Sequence, residues 1–145
     1  MHNSSGISLI ELLLVVVIIS TLGIFSASFY ARFLTQNEVV NTVDRLIGSF
    51  RKAQVYSMMG KQNGTWGVRY TLSPKEITLY LSGNSAFDET YQINSNITIS
   101  YSPDIKDITF ARITGLPSAA PTITIAGNNS SKTITVNSQG VVSRN

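Results

Sequence analysis

A chain of 145 residues has room for one modest domain together with whatever its N-terminus does. It has no cysteine and a single histidine, His2, which excludes a disulfide framework, a thiolate or multi-histidine metal site and a Ser-His-Asp triad. The net charge of +3 is small and scattered, and charged residues make up only 13% of the chain against about 25% in an average soluble domain, so a strongly basic nucleic-acid surface is not implied.

The first element is written in "SSGISLIELLLVVVIIS", residues 4–20. Between Ile7 and Phe29 the only ionisable side chain is Glu11. As a helix this run spans roughly 34 Å, enough to cross a hydrocarbon core. Ser20, Thr21, Gly23, Ser26 and Ser28 dilute its second half, and Phe25, Phe29, Tyr30 and Phe33, with Arg32 among them, suit the far interface. A secretory signal peptide cut after "SAS" (26–28) is one reading, but no Lys or Arg precedes the apolar run and Glu11 lies inside it. A plain membrane anchor leaves Glu11 as a cost of up to about 2.5–3.5 kcal/mol at mid-membrane. Ser8 and Glu11 also fit the S-x-x-E capping box, and a first-turn carboxylate favours the helix dipole by about 0.3–1 kcal/mol.

The order "G-ISLIE-LLLVVVIIS" resembles the cleavage and methylation signature of type IV prepilins and type II secretion pseudopilins. The resemblance implies that residues 1–6 are a leader, that a membrane prepilin peptidase cuts after Gly6, and that Ile7 becomes an N-methylated mature N-terminus. Glu11 is then the fifth mature residue and an assembly residue, which recruits the amine of a subunit already in the filament. The implied partners are the prepilin peptidase, other pilin or pseudopilin subunits and inner-membrane lipid, with an extracytoplasmic C-terminal part. The chemistry is coherent: a free amine with a reference pKa near 7.7–8 is largely protonated at neutral pH, and pairing it with a carboxylate offsets two desolvation costs. The chain departs from the family in two places. Its leader "MHNSSG" lacks Lys and Arg, and no proline precedes Pro74, so Gly23 is the one weak point expected in the 7–30 transmembrane helix.

Over 31–60 the pattern becomes amphipathic. Val39, Val43, Leu46, Phe50 and Ala53 form a stripe, widened by Val40 and Ile47 and opposed by Asn41, Asp44, Arg45, Arg51 and Lys52. Gly60 is the expected stop. Gly48 is expected to admit a close strand, Met58 and Met59 to be plain packing, and Arg51-Lys52 to be a solvated helix face or a partner contact.

Strands follow in 61–145. "TWGVRYT" (65–71) and "EITLYLS" (76–82) alternate around "LSPK" as a hairpin, and "NITISY" (96–101) and "DITFA" (107–111) are further strands. "TITIA" (122–126) and "KTITV" (132–136) form a second hairpin around "GNNSS", and "NSQG" turns the chain into "VVS" (141–143), while "TGLPSAAP" (114–121) is a loop. The fold class is therefore α+β, a long N-terminal helix packed on an antiparallel β-sheet head that forms one globular domain with 31–60. This agrees with the lollipop that the pilin resemblance implies. "LIGSFRKAQVYSMMGKQNGTWGVRYT", with its "R-x-A" and "W-x-V" elements, and "TITVNSQGVVS", with Gly140 in the turn, resemble in particular the FimT-like, H-type minor pseudopilins.

No phosphate loop, nucleophile elbow or paired acid–base constellation is present, so no catalytic residue, cofactor or metal is expected. Asp88, Glu89, Asp104 and Asp107 lack the D-x-D-x-D spacing of a calcium loop. Trp66 is expected in the core rather than at a recognition surface. The glycosylation sequons at Asn63, Asn96, Asn128 and Asn129 are the chance yield of a Ser/Thr/Asn-rich chain. Some FimT-like proteins capture DNA through basic residues near the C-terminus. That resemblance offers Lys132 and Arg144 as nucleic-acid contacts and a DNA-uptake filament as the alternative to a purely structural subunit.

Overall fold

The computed structural model describes residues 8–128 and 130–144, without the side chains of 25–28. It divides into two compact units, Met1–Leu34 and Thr35–Asn145. Helix α1 (Leu9–Met58) runs through both, uninterrupted at Gly23.

In the second unit the stripe anticipated from spacing is the helix's buried face. Val39, Val43, Leu46, Phe50 and Ala53 are all fully buried. The helix ends where the left-handed region becomes necessary: Gly60 sits at φ 60°, and the chain continues in a short 3-10 turn, Lys61–Asn63. Eight strands follow: β1 (Trp66–Leu72), β2 (Lys75–Leu81), β3 (Asn84–Gln92), β4 (Thr98–Ser102), β5 (Asp107–Phe110), β6 (Thr122–Gly127), β7 (Ser130–Val136) and β8 (Val142–Arg144). They form two four-stranded antiparallel sheets, ordered β3-β2-β1-β5 and β4-β6-β7-β8. Both expected hairpins are present, with Val68 opposite Leu79 in one and Ile123 opposite Ile134 in the other.

The inward positions alternate as a half-buried strand requires: Trp66, Val68 and Tyr70 on β1, Ile77, Leu79 and Leu81 on β2, Ile123 and Ile125 on β6. Phe50 meets Phe110 of β5 edge-on at 6.2 Å, so the helix stripe and the first sheet share one core. At the second sheet the close approach falls to a glycine: a Cβ at Gly127 would lie 2.9 Å from Thr35 Cγ2 and from Val39 Cγ2. The expectation at Gly48 is thereby corrected. Gly48 faces open space, and the small residue that lets strand and helix meet is on the strand.

Three further differences have physical causes. Strand β3 has no apolar alternation to announce it, being a mostly exposed edge that pairs with β2 through its backbone. Asp88 and Glu89 therefore lie in a strand, not in a loop. Met58 and Met59 are not plain packing: Met58 is 50% exposed and Met59 75%, because the buried face runs through Phe50, Ala53 and Ser57 and leaves both to one side. Finally, Ser49 and Ser57 are buried polar positions within the helix. Ser57 is used: its Oγ accepts the Trp66 backbone N–H at 2.9 Å, joining the helix end to the start of β1.

The loop 114–121 and the β7–β8 turn are fastened to the helix by one amide. Gln54 Nε2 donates to Gly115 O at 3.1 Å and to Gln139 O at 3.0 Å. Gly140 is at φ 79°, and a Cβ there would run into the Gln54 side-chain amide and lie 3.0 Å from Gly115 O. Gly140→Ala is accordingly expected to lower stability by about 2–3 kcal/mol, from left-handed strain plus the displaced amide bonds. Denaturant unfolding of the full chain in detergent measures this. A loss no larger on the wild-type background than on Gln54→Ala would show that the clamp is not involved.

Candidate functional site

The first unit is a surface without a protein partner. Every side chain described from Ser8 to Leu34 is exposed, including Leu9 at 82% and Ile24 at 72%. A helix apolar on all sides needs an apolar environment all round it, and α1 is long and apolar enough to cross a membrane. Two of its hydroxyls are satisfied from within: Ser20 Oγ donates to Val16 O at 2.7 Å, and Thr21 Oγ1 donates to Ile18 O at 2.9 Å. That internal satisfaction is what a hydrocarbon surround demands, since no water is present to take the protons.

One charge interrupts this surface. Glu11 lies in the first turn of α1, exposed, with its backbone N–H donating to Ser8 O at 3.0 Å. Among the described residues its carboxylate has no hydrogen-bond or ion-pair partner, and the reciprocal side-chain bonds of a capping box with Ser8 are not made. Gly6 and Ile7, the expected processing site, lie outside the described residues, as does the 1–6 leader.

The two residues offered as nucleic-acid contacts are placed differently from a projecting patch. Lys132 falls in step with buried Ile134 and Val136 on β7, half-buried on the helix side of the sheet. Arg144 pairs in register with Ile134 and reaches Asp44 of α1, Nη1 to Oδ1, at 3.4 Å. Its position makes it a tie between the end of β8 and the helix.

The remaining charged candidates resolve into separate pairs. Lys52 Nζ donates to both oxygens of Glu89, at 2.5 and 2.6 Å, and the hydrogen bond holds the Lys52 amine above and the Glu89 carboxyl below their ordinary ranges. This bond ties the helix to edge strand β3, a partner the sequence pattern could not show because β3 itself was not visible in it. Arg51 beside it is exposed. Asp107 accepts from Arg69 Nε at 2.9 Å and from Tyr80 Oη at 2.5 Å, while Arg69 lies 4.5 Å over the Tyr80 ring. Burial first, then the bond to Asp107, pushes the Tyr80 phenol up to about 12. Asp104 pairs with Lys106 at 3.2 Å. The four carboxylates considered for calcium are thus distributed over three pairs and a strand edge, and the described residues contain no group of three His, Asp or Glu side chains that could hold a metal. Trp66 is 1% exposed between the rings of Tyr56 and Phe87, with its indole N–H donating to Lys61 O at 3.0 Å; it is core, as its alternation required.

No protein-family model and no curated protein sequence matches the chain. Solved structures do. The type IV minor pilin FimU of Pseudomonas aeruginosa superposes with a TM-score of 0.60 at 14% identity, covering 81% of this chain and 92% of FimU. A second crystal form of FimU gives 0.59 at 13% identity, over 76% and 91%. The minor pseudopilin EpsH of the type 2 secretion system of Vibrio cholerae gives 0.55 at 9% identity, over 74% and 95%. The fold, a long N-terminal helix packed on antiparallel sheets, is the one these pilins and pseudopilins share.

Proposed function

We propose that the chain is a structural subunit, a minor pilin or pseudopilin, of a type IV pilus or type II secretion-type filament. The observation that carries this is the first unit: an apolar helix surface with no cover of its own and one carboxylate in its first turn that has no partner among the described residues, on a pilin fold. A lone membrane anchor has no use for that carboxylate. A chain cut after Gly6 by prepilin peptidase and N-methylated at Ile7 does, because the new ammonium group supplies its counter-charge in the same subunit or the next. The helix is held in the inner membrane as a single pass until helix packing within the filament replaces lipid, with the head extracytoplasmic. The role is not enzymatic. The alternative of a DNA-capturing subunit has less to stand on, since Arg144 is engaged by Asp44 and Lys132 faces inward.

The experiment is mass spectrometry of the intact chain purified from its membrane. An N-methylated Ile7 start is expected. A chain beginning at Met1, or one cut after Ser28, overturns the reading.

A further inference from the structure

The turn that joins the helix to the first sheet carries a chemically unstable pair. Of the asparagines in the chain only Asn63 precedes a glycine. The side-chain amide of asparagine is open to attack by the backbone nitrogen that follows it, and a glycine there has no Cβ to shield that nitrogen. The local structure decides which asparagines are held back from this reaction and which one is not.

Serine is the next least obstructive follower, and among the described residues it comes after Asn84, Asn94 and Asn137. All three side chains are tied down. Asn84 Oδ1 accepts from Ala86 N–H and Asn94 Oδ1 from Asn96 N–H, both at 3.0 Å. Asn137 Oδ1 accepts from Gln139 N–H at 2.9 Å and from Val141 N–H at 2.8 Å. Such a side chain must give up its turn-closing bond before its carbon can swing onto the neighbouring nitrogen. Asn37 and Asn41 lie inside α1, where helix hydrogen bonds fix the peptide that would have to rotate.

Asn63 is exposed, and its side chain has no hydrogen-bond partner among the described residues. It sits at φ 54°, a left-handed conformation that asparagine tolerates. Ring closure requires the peptide between Asn63 and Gly64 to rotate. The N–H of that peptide is weakly held: it reaches Lys61 O only at 3.5 Å, and the same oxygen already accepts the Trp66 indole N–H at 3.0 Å.

We propose that Asn63 is a site of self-modification by deamidation. The Gly64 nitrogen bonds to Asn63 Cγ, the Cγ–Nδ2 bond breaks, and the Gly64 amide proton leaves with the side-chain NH2 as ammonia. Water then opens the cyclic imide at either carbonyl, its hydroxyl going to the carbon and its proton to the nitrogen. One opening gives aspartate. The other gives isoaspartate, whose main chain runs through the side-chain carbon and is longer by one atom. Each product adds a carboxylate to the turn. The longer chain has little slack to lie in. Ser57 Oγ holds the Trp66 N–H at 2.9 Å, Ser82 N–H holds Thr65 O at 2.9 Å, and at Gly64 even a Cβ would run into the Leu81 side chain. The extra atom is taken up on the helix side, at the Lys61 carbonyl, so isoaspartate loosens the seat of the chain's one tryptophan.

The test ages the purified full chain in detergent at mildly alkaline pH, beside the same chain in urea, and follows both by tryptic mapping. The expected result is a gain of about 1 Da on the fragment 62–69 of the folded chain, divided between two separable isomers. The ratio of its rate to the rates at Asn84, Asn94 and Asn137 should be about tenfold larger in the folded chain than in urea, the weight of the bonds those side chains must break. Asn63→Gln should gain no mass there, because its longer side chain closes the ring poorly. The isoaspartate isomer should fluoresce at longer wavelength than Asn63→Asp, which has the same charge. No gain on 62–69 in the folded chain, a rate ratio no larger than in urea, or a gain that persists in Asn63→Gln overturns the proposal. Emission equal to that of Asn63→Asp overturns the loosening at Trp66.

Discussion

Glu11→Gln is expected to reduce incorporation of the subunit into filaments about a hundredfold or more, with cleavage after Gly6 and folding of the head unchanged. The reasoning is one of an unpaired charge. If the chain is cut after Gly6 as proposed, the new N-terminal ammonium group lies at the edge of an apolar bundle, and removing its carboxylate would leave it desolvated without compensation, a loss of about 3–5 kcal/mol for a buried pair. At 1.4 kcal/mol per factor of ten, that is two to three orders of magnitude in the association equilibrium. Glutamine keeps the size, the helix propensity and the ability to accept a hydrogen bond, so a helix-capping role would survive it. Filament-to-membrane ratios of the variant, measured beside Glu11→Asp, separate the two. Wild-type levels with glutamine would reduce Glu11 to a first-turn dipole partner worth a few tenths of a kcal/mol.

Trp66→Ala should remove about 3–5 kcal/mol of head stability, a large share of the total for a domain of this size. The indole is enclosed by Tyr56 at 4.9 Å and Phe87 at 6.5 Å, and its N–H holds the carbonyl of Lys61 just beyond the helix stop. Alanine opens a cavity under both rings and frees the 3-10 turn at the same time. Because the Trp66 backbone N–H still reaches Ser57 Oγ, strand β1 keeps its start, and the loss is one of packing. Denaturant unfolding of the full chain in detergent reads this directly. A shift below about 1 kcal/mol would mean that the aromatic cluster is not where the core is anchored.

Much of this architecture could be read from spacing. The 3.6-residue stripe from Val39 to Ala53 and the two-residue alternation of β1, β2, β6 and β7 mark which faces are buried, because burial imposes the period. What period cannot carry is partnership. The strands that alternate do so alike, so nothing in "NITISY" says that β4 pairs with β6 rather than with β3 before it or β5 after it, and the division into two sheets is invisible. Strand β3 escaped because an edge that faces water on both sides has no hydrophobic period to show. The candidate site divides in the same way. Glu11 was legible because a carboxylate in an apolar run is an anomaly in one dimension. The Lys52–Glu89 tie was not, because its acid lies on a strand that shows no period and its partner is 37 residues away.

The tie between Arg144 and Asp44 joins residues one hundred positions apart. It has a consequence for the order in which the molecule comes into being. The helix is synthesised first, yet strands β6 to β8, which supply Ile123, Ile125, Ile134 and Val142 to its core, are made last. Until then the hairpin of β1 and β2 can close locally, but half of the stripe has nothing to lie against, and the closure entropy of the longest loop is met only at the end. The nascent subunit therefore passes through a stage in which an apolar helix face is bare over much of its length. Its survival in the cell depends on how fast the final strands arrive and on what shields that face meanwhile.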